Sequence, residues 1–203
     1  MTTQTAIKTD NPSVEAKKST RDTIIKTAAK LFWERSYEAV GVDTICKEAG
    51  VHKGSFYHFF PSKEELAIVV LDTMWQQLEG ALLKPCFASD IPPMERFQQF
   101  MERMDQNVCS MFEKKGKLYG CPFGNMAVEL ASQTEAIRAK VDTLFDQYIA
   151  YFQQAFSDAK AAGAIRNDLD PAHLASMLFS CLQGTALMTK TKNQPEVLRQ
   201  HLE

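Results

Sequence analysis

Between His52 and Lys63 the chain places Lys53, Ser55, Tyr57, His58 and Lys63 close together. These residue types suit a polyanion. Lys53 and Lys63 bring positive charge to expected helix starts, and Tyr57 and His58 can donate to phosphate oxygens. Ser55 is short enough to reach a base edge if the backbone comes close, which Gly54 allows because it lacks a Cβ. Five cysteines (Cys46, Cys86, Cys109, Cys121, Cys181) form an odd set without a CxxC pair or a nearby His. Neither a disulfide framework nor a metal site is expected, and no cofactor is implied. Cys121 stands apart from the other four. It lies between Gly120 and Pro122 just before an expected helix, where the partial positive charge would lower its thiol pKa and make it reactive to oxidants or electrophiles. A catalytic pair could be drawn from Cys121 and His173, or from His58 and a carboxylate, but no motif surrounds either, so the chain is not read as an enzyme.

The elements that must hold these groups are helical. The chain has 203 residues, 45% hydrophobic and 24% charged, with nine Gly and eight Pro. That composition suits a folded chain of long helices and excludes a disordered or fibrous one. Residues 1–18 are polar and are expected to form a disordered arm, with no apolar leader and no membrane span anywhere, so the protein reads as soluble and cytoplasmic. Ser19 or Thr20 is expected to cap a helix carrying Ile24, Ile25, Ala28, Leu31 and Phe32 to about Ser36. A second helix carries Val42, Ile45, Cys46 and Ala49 to a turn at Gly50, and a third runs from His52 to Pro61. Ser62 caps a fourth, expected to end at Lys84 before Pro85. Further helices are expected from Pro93 to Gly116, after Pro122, over about 134–162, and from Pro171 to about 190. Strand alternation is nowhere sustained, so the fold class is all-α. Residues 1–63 hold ten Lys/Arg against seven Asp/Glu, whereas the remainder holds thirteen against eighteen. A basic head and an acidic body fit a polyanion partner for the head alone.

Three short helices with a tight turn at Gly50 describe a helix-turn-helix whose last helix can enter a DNA major groove, or else an ordinary small bundle. The wording decides between them. Gly41-Val42-Asp43-Thr44-Ile45-Cys46-Lys47-Glu48-Ala49-Gly50-Val51-His52-Lys53-Gly54-Ser55-Phe56-Tyr57-His58-Phe59-Phe60-Pro61-Ser62-Lys63-Glu64-Glu65-Leu66 resembles the DNA-binding signature of TetR-family transcriptional regulators. Three later phrases, Gly120 to Asn125, Gly163 to Arg166 and Leu182 to Gly184, resemble the regulatory domain of one branch of that family.

The resemblance implies a helix-turn-helix domain over 19–65 and a regulatory and dimerisation domain over 66–203. It adds Thr44 to the DNA contacts, which with His52, Lys53, Gly54, Ser55, Tyr57, His58 and Lys63 make the expected interface. His52 stands where the family usually has Ser or Thr, so capping is expected to be weaker there. Cys46 stands where Ala is usual and is read as a small buried hydrophobe. The implied assembly is a homodimer through the last two long helices, on a near-palindromic duplex operator. Met74, Trp75, Leu78, Phe97, Phe100, Met101, Met104, Met111, Phe112, Tyr119, Phe123 and Met126 would then line an adaptable apolar cavity for a small-molecule effector that shifts the fourth helix. The expected function is a DNA-binding regulator, a repressor released by that effector. The alternatives are a sensor acting through Cys121 and an architectural DNA-binding protein without an effector.

Overall fold

The computed structural model describes residues 12–202, and no strand occurs among them. The helices are α1 Pro12–Arg35, α2 Val42–Ala49, α3 Lys53–Phe59, α4 Lys63–Leu78, α5 Lys84–Cys86, α6 Pro93–Lys115, α7 Pro122–Leu130, α8 Glu135–Ala161, α9 Pro171–Lys192 and α10 Glu196–Leu202. None of these helices is long and apolar enough to cross a membrane.

Most boundaries follow from local chemistry. Gly50 adopts φ 66° and closes α2 in the left-handed region that a Cβ disfavours, with the Val51 amide donating to the Cys46 carbonyl at 2.9 Å. The Ser62 hydroxyl accepts the Glu65 amide at 3.0 Å at the start of α4. Thr134 accepts the Ile137 amide at 3.1 Å at the start of α8, and Pro171 opens α9 behind an Asp170 cap.

Three boundaries differ from expectation. The first helix begins at Pro12, so residues 12–18 of the expected arm are helical, while 1–11 lie outside the described residues. Pro12 is tolerated in a first turn, and Glu15, Ala16, Lys17 and Lys18 favour a helix, so nothing at Ser19 forces a start. The helix expected to stop at Lys84 continues through a π-helical turn, Glu79–Leu83, into α5, which contains Pro85. The wider π turn relieves the clash a proline ring makes with the carbonyl four residues back. Finally, α10 restarts the chain after Asn193, itself left-handed at φ 53°, and buries Val197 and Leu198.

Two compact units result, Met1–Val70 and Leu71–Glu203, with the division inside α4. The first packs Ile24, Ala28, Leu31, Val40, Ile45, Phe56 and Leu66, all essentially inaccessible, between α1, α2, α3 and the start of α4. In the second, α8 packs on α9, with the rings of Phe145 and Tyr148 4.9 and 5.3 Å from that of Phe179. α6 joins α8 through Phe100, whose ring centroid lies 5.4 Å from that of Phe152.

An ion pair between a buried arginine and a half-buried aspartate ties α6 to α8. Arg96 is 4% exposed, bonds Asp158, and donates from Nε to the Ile91 carbonyl at 2.8 Å. The guanidinium holds the Asp158 carboxyl below its ordinary value. The unfolded chain therefore takes up this proton at higher pH than the folded one. The pair's contribution is complete above the unfolded carboxylate range and is lost as pH falls through the depressed folded value. Asp158→Asn is expected to lower stability at neutral pH by roughly 1–3 kcal/mol and to flatten the loss of stability in acid, as read by denaturant unfolding across pH.

Candidate functional site

In the first unit, α3 sorts its residues by face. Phe56 is fully buried, and Phe60, just past the helix end, is 2% exposed, their rings 5.9 Å apart. Lys53, Gly54, Tyr57 and His58 are exposed, at i and i+4 spacing on the opposite side, with Tyr57 53% exposed. Of the expected DNA contacts, the structure thus gathers these four on one surface, with His52 exposed at the helix start, Ser55 half-buried on α3 and Thr44 half-buried on α2. His52 occupies the N-cap position without a side-chain cap bond, as its type suggested. Cys46 is buried, and burial pushes its thiol up.

Gly54 lies in the helix, and a Cβ built there would meet nothing within 4 Å. Packing inside the unit therefore does not require glycine, although glycine in a helix is about 1 kcal/mol worse than alanine.

Lys63 has partners within its own unit. Its ammonium donates to the carbonyls of Tyr37 at 3.2 Å and Val40 at 3.3 Å and lies 3.8 Å from the centre of the Tyr37 ring. Two of its three donors are thus committed to closing the loop after α1. Lys53 is also engaged, with Nζ 2.6 Å from Asp43 Oδ1 at the start of α2. Asp43 was legible only as one letter of the signature, since its partner is ten residues away on another helix.

In the second unit, Trp75, Phe123 and Met126 of the expected effector pocket are buried, and the Trp75 and Phe123 rings meet at 6.3 Å. Trp75 also lies 6.0 Å from Tyr148, which continues through Phe100 and Phe152 to Phe87 and Phe97. Met74, Leu78, Phe97, Met101, Met104, Met111, Phe112 and Tyr119 are half-buried. Tyr148 and Phe87 complete this aromatic run and were not among the expected lining residues. Tyr148 lay in the α8 stripe and carried no mark to set it apart from core. Burial raises the Tyr148 hydroxyl above its ordinary value. A separate surface hollow of 630 Å³ runs along α6, lined by Met94, Glu95, Gln98, Gln99, Glu102, Arg103 and Gln106. It contains none of the expected pocket residues.

Cys121 sits at the α7 N-cap as expected, its Sγ accepting the Gly124 amide at 3.4 Å. Gln183 of α9 donates its Nε2 to the same sulfur at 3.5 Å. A Cβ on Gly124 would stand 2.5 Å from Oε1 at the end of the Gln183 side chain, so a larger residue there would push aside the amide that reaches Cys121. The thiol pKa, however, is raised rather than lowered. Burial outweighs the hydrogen bonds from Gly124, Gln183 and Phe123 that favour the thiolate, which corrects the expectation drawn from the helix start alone. Among the described residues no three His, Cys, Asp or Glu side chains converge on a possible metal position.

Residues 24–70 match the family profile "Bacterial regulatory proteins, tetR family", and residues 93–203 match "Tetracyclin repressor-like, C-terminal domain". Over 187 residues the chain is 29% identical to the HTH-type transcriptional repressor DhaR of Mycobacterium sp. strain GP1, which spans 92% of this chain and 90% of that protein. It is 30% identical over 172 residues to the HTH-type transcriptional regulator YxaF of Bacillus subtilis, 84% of this chain and 85% of that one. A solved regulatory protein TetR from Rhodobacter sphaeroides is similar with a TM-score of 0.80 at 26% identity, covering 90% of this chain and 94% of its own.

Proposed function

Because the chain belongs to the TetR family of bacterial transcriptional regulators, which bind DNA operators as dimers, we propose that it is a repressor released from a near-palindromic operator by a small neutral effector. The observation that carries the DNA side is the exposed face of α3. Lys53, Tyr57 and His58 surround a glycine that the fold does not need, and a surface that must come close to the helix accounts for that glycine. The name of the relative DhaR, a repressor, supports the sign of regulation.

The dimer surface is read from what α8 and α9 leave outside. Met177, Cys181, Gly184 and Leu187 lie exposed along α9, and Ala136, Thr143, Ala150 and Ser157 recur every seven residues on α8, all but the half-buried Ser157 exposed. Small side chains at this spacing let helices of a second copy approach closely.

The effector side rests on the aromatic run from Trp75 to Phe97, which carries no charged side chain. α4 is one continuous helix from Lys63 to Leu78, so a ligand displacing Trp75 acts on the helix that begins three residues after α3 and its Phe60 cap. The raised Cys121 thiol favours a reversible ligand over a thiol-based signal. The test is release of bound duplex, followed by anisotropy, while a panel of neutral aromatic compounds quenches Trp75 fluorescence in a Trp33→Phe background. Release is expected to persist in Cys121→Ser. Release by thiol reagents alone, abolished in Cys121→Ser, would replace this reading with a redox or electrophile sensor.

A further inference from the structure

The residue at the start of α3 that should contribute most charge to DNA is already held by an acid. Lys53 Nζ stands 2.6 Å from Asp43 Oδ1, and the two side chains are 60% and 72% exposed. Asp43 is the second residue of α2, beside Thr44, and Lys53 is the first of α3, beside Gly54. The pair therefore sits at the edge of the surface assigned to DNA. An ion pair this exposed adds little to the fold, since water and salt screen it. Its consequence lies outside the unit. Sequence-independent DNA binding comes from lysine and arginine charges that displace counter-ions from phosphate, and a lysine with its own carboxylate must give that up first.

We propose that Asp43 is an internal competitor of phosphate, which holds Lys53 and lowers the sequence-independent part of the affinity for duplex. A regulator must leave the many non-cognate sites it meets, and a weakened non-specific term shortens its stay on them. The inference rests on reading α3 as the DNA-facing helix.

The test measures affinity of the full chain for a random-sequence duplex across a salt series. Asp43→Asn is expected to bind roughly 60-fold more tightly at 0.1 M salt when both subunits of the dimer engage the duplex, with a log–log salt slope steeper by about 1.8, the signature of one further neutralised phosphate per subunit. Asp43→Glu, which keeps the charge, is expected to retain the wild-type slope. In a Lys53→Gln background the same Asp43→Asn change is expected to leave the slope unaltered, because the cation to be freed is gone. An equal change of slope in both backgrounds would show that Asp43 acts only by its own repulsion of phosphate and would overturn the proposal. So would an Asp43→Asn slope equal to wild type. If instead the wild-type chain bound random duplex without salt dependence, the DNA-facing assignment of α3 would itself fall. Thermal unfolding of each variant checks that the helices remain intact.

Discussion

A chain carrying Gly184→Glu or Leu187→Glu is expected to sediment as a folded monomer and to lose nearly all operator affinity. Gly184 is exposed with open space around a built Cβ, and Leu187 is 61% exposed, so neither change disturbs the packing of a single copy. In the dimer, each would bury an unpaired carboxylate, at a cost of several kcal/mol, which corresponds to roughly a 100-fold or larger rise in the dissociation constant of the dimer. Without a second recognition helix on the same molecule, the gain from binding two half-sites is lost, on the order of 10²–10⁴ in affinity. Leu182→Glu is a different experiment. Leu182 is 6% exposed within one copy, so a charge there unfolds the second unit rather than separating two chains. Sedimentation velocity with circular dichroism distinguishes the cases, and a Leu187→Glu dimer as tight as wild type would place the interface elsewhere.

Gly54→Leu is expected to abolish specific DNA binding, by at least about 100-fold, while leaving the isolated protein as stable as wild type or slightly more so. The first half follows from steric exclusion, since a branched side chain would occupy the gap through which the helix backbone approaches phosphate. The second follows from the free structure, in which nothing lies within 4 Å of a Cβ there, and from the gain of about 0.5–1 kcal/mol when glycine is replaced inside a helix. Gly54→Ala should show the same signs with smaller size. Opposite movement of stability and binding is what separates a recognition role from a folding role. If both fell together, the glycine would be serving the fold.

The sequence made the first unit legible almost residue by residue. Gly50, Ser62 and the apolar spacing of Ile24, Ala28 and Leu31 act through local rules, and the structure places each as those rules require. Long-range partners were not legible. Nothing near Lys63 in sequence pointed to the carbonyls of Tyr37 and Val40 that it bonds, and Asp43 gave no sign of reaching Lys53. Cys121 shows the same limit in electrostatic form. Its helix start was visible in Gly120-Cys121-Pro122, but the burial that reverses the sign of its pKa shift depends on the tertiary fold. On α9, the sequence joined Met177, Leu178, Cys181 and Leu182 into one apolar stripe. The structure divides them, with Leu182 inward beside Phe179 and Thr185, and with Met177 and Cys181 outward. A helix that is apolar on two sides has no periodicity that says which side belongs to its own chain.

Selection of bound duplexes from a random pool by the full-length protein tests the central claim most directly. A dimer that presents two α3 helices is expected to enrich a near-palindrome whose half-sites are centred about one helical turn, or a whole number of turns, apart, roughly 10–10.5 base pairs per turn. Enrichment of no sequence, or of a single half-site without a symmetric partner, would contradict it.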